Sequence, residues 1–350
     1  MVGGEVHVVK RIVGGSCIGW LAFGYGALLG GCAANSGDVQ NQIDGAIICD
    51  GQTLKELTQA KTISDECKAE LTAYLPKPEN GFSSRIVVLG TKLDPATGAL
   101  SIFVQGADAQ GTAIDRQAWV SATVSLAGTA LAAGSFTVTA IADLPGDWIS
   151  LGIVNDYSAS MSTADLGTVA QIERDLFSYV PKVYESEVTL FSTEVTLKQA
   201  FTQDQALLLA ATQYDPTFTR DLTALYDGMG TGLDSLAQRS RPIRILLVST
   251  DGLENSSTQY TKPPIVQKIS DQRIAVVMLG ALFADVAEMK SLMGPRGVFF
   301  YTPLYKDLRA SVDQFLRSAA EMVEIRIPPE QAQARPIHIE AGGVSVDLAD

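Results

Sequence analysis

Leu151-Gly152-Ile153-Val154-Asn155-Asp156-Tyr157-Ser158-Ala159-Ser160-Met161 is an apolar, β-branched run that leads directly into a cluster of oxygen-bearing side chains. Ser and Asp after a strand commonly cap a helix, so the cluster alone says little about chemistry. The alternation that it opens says more. Trp148–Asn155, Glu187–Ser192, Arg244–Ser249, Arg273–Leu279 and Gly297–Tyr301 read as strands, and the amphipathic stretches Val169–Val180, Thr219–Leu236 and Ala284–Leu292 lie between them. Apolar strands separated by helices predict an α/β fold over residues 146–325, with a mostly parallel sheet covered on both faces. A last helix is expected over Lys306–Met322, before Pro328-Pro329.

Working outward, the chain changes character. Residues 82–145 carry Arg85–Leu89, Leu100–Val104, Trp119–Val124 and Ser135–Ile141, separated by turn signals such as Asp94-Pro95, Gly106, Gly128 and Gly134. Short strands without helices between them predict a small β-sandwich-like domain. In the tail, residues 326–350, Ile337–Glu340 and Val344–Leu348 flank Gly342-Gly343, a hairpin signal, and are expected to return to that sandwich. Residues 33–81 read as a tether followed by a cap segment, with a helix from about Ser64 that ends before Pro76.

Two further stretches join the first. Leu222-Thr223-Ala224-Leu225-Tyr226-Asp227-Gly228 is a helix start that carries a hydroxyl. Leu246-Leu247-Val248-Ser249-Thr250-Asp251-Gly252 is an apolar strand ending in a Thr-Asp-Gly turn. In this order and spacing, the three stretches resemble the von Willebrand factor A-type domains and their metal-ion-dependent adhesion site. The resemblance covers about half of the chain. It implies a Rossmann-like domain with Asp156, Ser158, Ser160, Thr223 and Asp251 around one divalent cation, Mg²⁺ or else Mn²⁺ or Ca²⁺. All five side chains offer oxygen, as hard cations require. It also implies an open coordination position for an acidic residue of a protein ligand. This chain departs from the family at Asp221-Leu222, where two glycines are usual. Asp221 either adds a negative charge near the ion or caps the helix, the cap being the preferred reading, and Asp227 and Glu254 read as a solvated face.

The N-terminus carries Lys10-Arg11 before an uncharged stretch to Cys32, the pattern of an export signal. Leu29-Gly30-Gly31-Cys32 resembles a bacterial lipobox. This implies a signal over residues 1–32, a lipid on Cys32 and, with Ala33 following, the outer membrane. A retained anchor of about 20 residues is the competing reading, against which stand seven glycines in the stretch. Cys49 and Cys67 are an even pair in an exported chain, for which a disulfide is the default and buried thiols the alternative.

The formal net charge of −13 disfavours nucleic acid as a partner. With His7 and His338 as the only histidines, imidazole-dependent catalysis and His-based zinc sites are disfavoured. What the two resemblances imply is a tethered adhesion or protein-binding module, and the composition offers no support for enzymatic activity. The alternative is a scaffold subunit of an envelope or secretion complex.

Overall fold

The computed structural model describes residues 47–49, 51–53, 56, 57, 64–73, 75–180 and 184–348. The expected export signal over residues 1–32, with Cys32, lies outside the described residues. Residues 47–350 form one compact unit. Among the described residues, no helix is long and apolar enough to cross a membrane.

The cap segment comes first. Strands β1 (Ile47–Cys49) and β2 (Gln52–Thr53) pair antiparallel, and helix α1 (Asp65–Leu71) follows. A disulfide joins Cys49 to Cys67, with their Cα atoms 5.6 Å apart. Closing a loop of this length is worth about 3 kcal/mol in the chain-entropy account. Strand β3 (Glu79–Asn80) then adds an antiparallel edge to the main sheet.

The β-rich region contains β4 (Arg85–Leu93), β5 (Leu100–Ala107), helix α2 (Arg116–Val120), β6 (Thr123–Leu126), β7 (Thr129–Ala130) and β8 (Thr137–Ala140). The sequence reading placed a strand across Trp119–Val124, but a helical turn occupies its first part. Asp115 caps that turn by accepting from the Ala118 amide at 2.8 Å. Trp119 is thereby swung into the core, where it is fully buried.

The central unit runs β9 (Ile149–Asp156), α3 (Thr163–Tyr179), β10 (Tyr184–Phe191), β11 (Val195–Thr202), α4 (Gln205–Ala211), α5 (Leu225–Ala237), β12 (Ile243–Thr250), α6 (Lys262–Gln272), β13 (Ala275–Ala281), α7 (Val286–Leu292), β14 (Val298–Thr302) and α8 (Tyr305–Ser318). The sheet order is β11-β10-β9-β12-β13-β14-β3. The five strands from β10 to β14 are parallel, and the two edges are antiparallel. β11 had no counterpart in the sequence reading. Its exposed, polar alternation suits an edge and lacks the apolar run by which the inner strands are recognised.

Helices cover both faces. One layer packs Leu151, Ile153, Leu176, Leu247 and Phe315 together, and the other packs Val154, Met229, Leu233, Leu246 and Met278. Helix α5 lies almost flush on the sheet. A Cβ at Gly232 would stand 2.8 Å from both Leu246 and Val154, so only glycine permits this approach.

The chain then leaves the α/β unit through β15 (Val323–Ile327), β16 (Ile337–Ala341) and β17 (Val344–Leu348). β15 inserts between β5 and β8, and β16 pairs with β6 and β17. Two four-stranded antiparallel sheets thus enclose Ile102, Trp119, Val124, Ile325 and Ile339. Strands from before and after the α/β unit build this sandwich together, and the unit is an insertion between β8 and β15.

Candidate metal centre

β9 lies between β10 and β12, so the connections leaving β9 and β12 emerge side by side. At such a point in an α/β sheet the loops diverge and leave a crevice at the carboxyl ends of the strands. Asp156 ends β9, and Asp251 follows β12 directly.

The side chains form one connected chain. Asp156 Oδ1 accepts from the Ser158 amide at 2.7 Å, and its Oδ2 accepts from Thr250 Oγ1 at 2.6 Å. Ser158 Oγ and Ser160 Oγ are 3.0 Å apart, and Ser160 Oγ donates to Asp251 Oδ1 at 2.7 Å. Thr223 enters from a third loop. Its hydroxyl lies against Gly252, where an added Cβ would be 3.0 Å from Thr223 Oγ1. Asn255 fixes that approach through two bonds: its Oδ1 accepts from the Thr223 amide at 2.9 Å, and its own amide donates to the Thr223 carbonyl at 3.0 Å. The Ala159 amide donates to the Asp221 carbonyl at 3.0 Å, which ties the first loop to the second. The five residues singled out from the sequence therefore converge. Thr250, which orients Asp156, was missed. Its adjacency to Asp251 was the one signal available.

Asp156, Ser158, Thr223 and Asp251 are buried. Burial raises the pKa of both carboxyls, and for Asp251 the neighbouring Asp156 charge raises it further. Asp251 Oδ2 is buried and makes no hydrogen bond among the described residues. A buried carboxylate oxygen without a donor is costly. The Asp251 carboxyl is linked through Ser160 and Ser158 to a set of hydroxyl and carboxylate oxygens, which is the donor chemistry of a hard divalent cation. The residues therefore fit such an ion. Among the described residues there is no cluster of three or more His, Cys, Asp or Glu, so the hydroxyls are indispensable to the set.

Three neighbours shape the field. Lys68, buried on the disulfide-held α1, pairs with Asp165 at 2.5 Å, and its charge opposes the upward shift of Asp251. Arg220 donates twice to the Ser158 carbonyl, at 3.1 and 3.3 Å, and sets a guanidinium beside the first loop. Tyr305, the first residue of α8, is buried, and its hydroxyl has no partner among the described residues. Burial, followed by the charges of Asp251, Asp156 and Asp165, holds that phenol well above its usual range.

Two sequence readings are corrected. Asp221 does not cap α5, which begins at Leu225 after Ala224. Asp227 and Glu254 do not sit on a solvated face. Asp227 is buried and accepts from the amides of Thr258, Gln259 and Tyr260, while Glu254 accepts from those of Tyr226, Ser256 and Ser257. Both carboxylates hold the loop after β12 in place.

Residues 151–314 match the family model of the von Willebrand factor type A domain. Solved structures similar to this chain include proximal thread matrix protein 1 from the mussel byssus with a zinc-occupied MIDAS motif, at 15% identity and a TM-score of 0.44, covering 54% of this chain and 49% of that one. BatB from Bacteroides thetaiotaomicron is similar at 13% identity and a TM-score of 0.41, covering 49% and 98%. The vWF domain of the type V pili tip protein Mfa5 from Porphyromonas gingivalis is similar at 11% identity and a TM-score of 0.40, covering 50% and 96%. The chain spans about half the length of the mussel protein. No curated protein sequence matches.

Proposed function

With residues 151–314 forming a von Willebrand factor type A domain, we propose that this chain is a membrane-tethered adhesion or protein-binding module. Asp156, Ser158, Ser160, Thr223 and Asp251 would hold one divalent cation, Mg²⁺ or else Mn²⁺ or Ca²⁺, and the tether would be a lipid on Cys32. The observation that carries this reading is the buried Asp251 Oδ2, without a hydrogen-bond partner among the described residues, at the end of a hydroxyl–carboxylate chain. When bound, the ion supplies the positive charge that lets an acidic surface take up a carboxylate from a protein ligand.

The protein's own contribution is positional. Thr250 and the Ser158 amide hold Asp156, Asn255 holds Thr223, and Arg220 holds the Ser158 carbonyl. Only two carboxylates belong to the set and the other donors are neutral hydroxyls, so a bound cation would stay electrophilic toward a ligand carboxylate. Tyr305 places the first turn of α8 within the field of both carboxylates. A change of charge at the centre is therefore felt by that helix, and Mg²⁺ should alter hydrogen exchange across Tyr305–Ser318.

The test is affinity capture of envelope proteins by the chain in Mg²⁺ and in EDTA, beside Asp156→Ala. Capture that disappears in EDTA and in the variant supports the metal-dependent module. A stoichiometric partner that stays bound in both contradicts it and favours a scaffold subunit of an envelope or secretion complex.

A further inference from the structure

A cleft of about 240 Å³ opens where the sandwich meets the α/β unit, at the amino ends of β12, β13 and β14. Lys92, Arg239, Arg241, Arg244, Arg273 and Arg296 line it. The whole chain has 26 Lys and Arg against 39 Asp and Glu, so six cations around one small cleft run against its composition. Like charges gathered this way repel one another unless something offsets them.

Part of the offset is internal. Arg239 donates to both carboxylate oxygens of Glu185 at 2.8 Å, and Arg241 donates to Asp147 at 3.0 Å. Among the described residues, three of the others meet only neutral groups. Arg244 donates to the carbonyl and side-chain oxygens of Gln272, Arg273 donates to Thr91 Oγ1 at 3.3 Å, and the Lys92 ammonium stands 5.2 Å from the centre of the Trp148 ring. Burial without a counter-charge also lowers the Arg244 pKa.

The walls are firmly built. A Cβ at Gly90 would lie 2.1 Å from the Pro242 carbonyl, so β4 is pressed against the turn that carries Arg239 and Arg241. The register of β4 on β5 shifts between Val88 and Gly90, at the same place.

We propose that this cleft binds a small, multiply charged oxyanion of the phosphate monoester class. Guanidinium forks match the geometry of phosphate oxygens, and several cationic side chains around one small cleft favour a dianion over a single carboxylate. The volume suits a phosphate with a small substituent, since drug-sized ligands need pockets of roughly 300 Å³ or more. The phosphate belongs either to a soluble ester or to a lipid headgroup.

The experiment is calorimetric titration of the full chain, in EDTA so that the metal centre plays no part. The probes are inorganic phosphate, glycerol 3-phosphate and dihexanoyl phosphatidic acid below its micellar concentration. The comparison is the double variant Lys92→Gln/Arg273→Asn. Both side chains are exposed, and Asn tolerates the left-handed backbone of Arg273 at φ 53°, so the variant should keep its melting temperature. One-site binding that weakens about tenfold or more in the variant is expected. Equal affinity for the two esters assigns the site to soluble phosphates, and tighter binding of the acylated one assigns it to a lipid headgroup. Failure of all three probes to bind the wild type, or equal binding by wild type and variant, overturns the proposal.

Discussion

The two ends of the parallel sheet are electrostatic opposites. At the carboxyl ends of β9 and β12, Asp156 and Asp251 are buried together with hydroxyls, and Lys68 is paired to Asp165 nearby. At the amino ends of β12, β13 and β14, arginines gather around a cleft, and two carboxylates meet part of their charge. Among the described residues, each end leaves charge of one sign incompletely matched. A protein selected for stability alone would neutralise both. Surplus charge of defined sign at a defined place is instead what a binding site for the opposite ion requires. The overall acidity of the chain describes neither end.

The contrast can be broken or sharpened by substitution. The largest effect is expected at the amino end, from Arg239→Leu. This change leaves the buried Glu185 with Ser150 and the more distant Arg241 contact, and should destabilise by about 2–3 kcal/mol in urea titrations. Glu173→Gln should change the pH dependence of stability. Glu173 is buried, hydrogen-bonded to the Asn155 amide, and pushed up to about 8 mainly by burial. A carboxyl raised on folding adds stability below its unfolded pKa, and that stability is lost as pH rises through 8. The glutamine variant should therefore lose a pH dependence on the order of 2 kcal/mol between pH 5 and 8. An unchanged pH profile of melting would contradict this.

At the carboxyl end the sign reverses. In metal-free buffer, Asp251→Asn removes a like charge beside Asp156 and should stabilise by about 1 kcal/mol, while weakening Mg²⁺ binding. Loss of stability would mean that the two carboxylates are not in conflict. The smallest effect is expected from Lys92→Gln alone, within about 0.5 kcal/mol of wild type because the side chain is exposed.

The same contrast explains what could be read from the sequence. The candidate metal residues stand in three short contiguous stretches, each at the end of an apolar strand or the start of a helix, so the resemblance of those stretches to the family's motifs brought them together in the sequence reading. The basic cleft draws on Lys92, Arg239, Arg241, Arg244, Arg273 and Arg296, which stand mostly as isolated charges beside four different strands. Only the packing of β4 against the turn before β12 unites them. The sandwich was legible in its strands and in the return of Ile337–Leu348. The insertion of β15 between β5 and β8 was not, because Val323–Ile327, a short run between the expected last helix and Pro328-Pro329, carried no strand assignment. Asp227 and Glu254 were misread because a charged residue near a loop gives no sign in sequence of the backbone amides that will converge on it.

The most direct test is calorimetric titration of Mg²⁺ and Mn²⁺ into the full chain in detergent, beside Asp156→Ala, with circular dichroism to show that both are folded. The account predicts one site per chain in the wild type and none in the variant. A folded wild type that binds neither ion, or a variant that binds as well as the wild type, would contradict it.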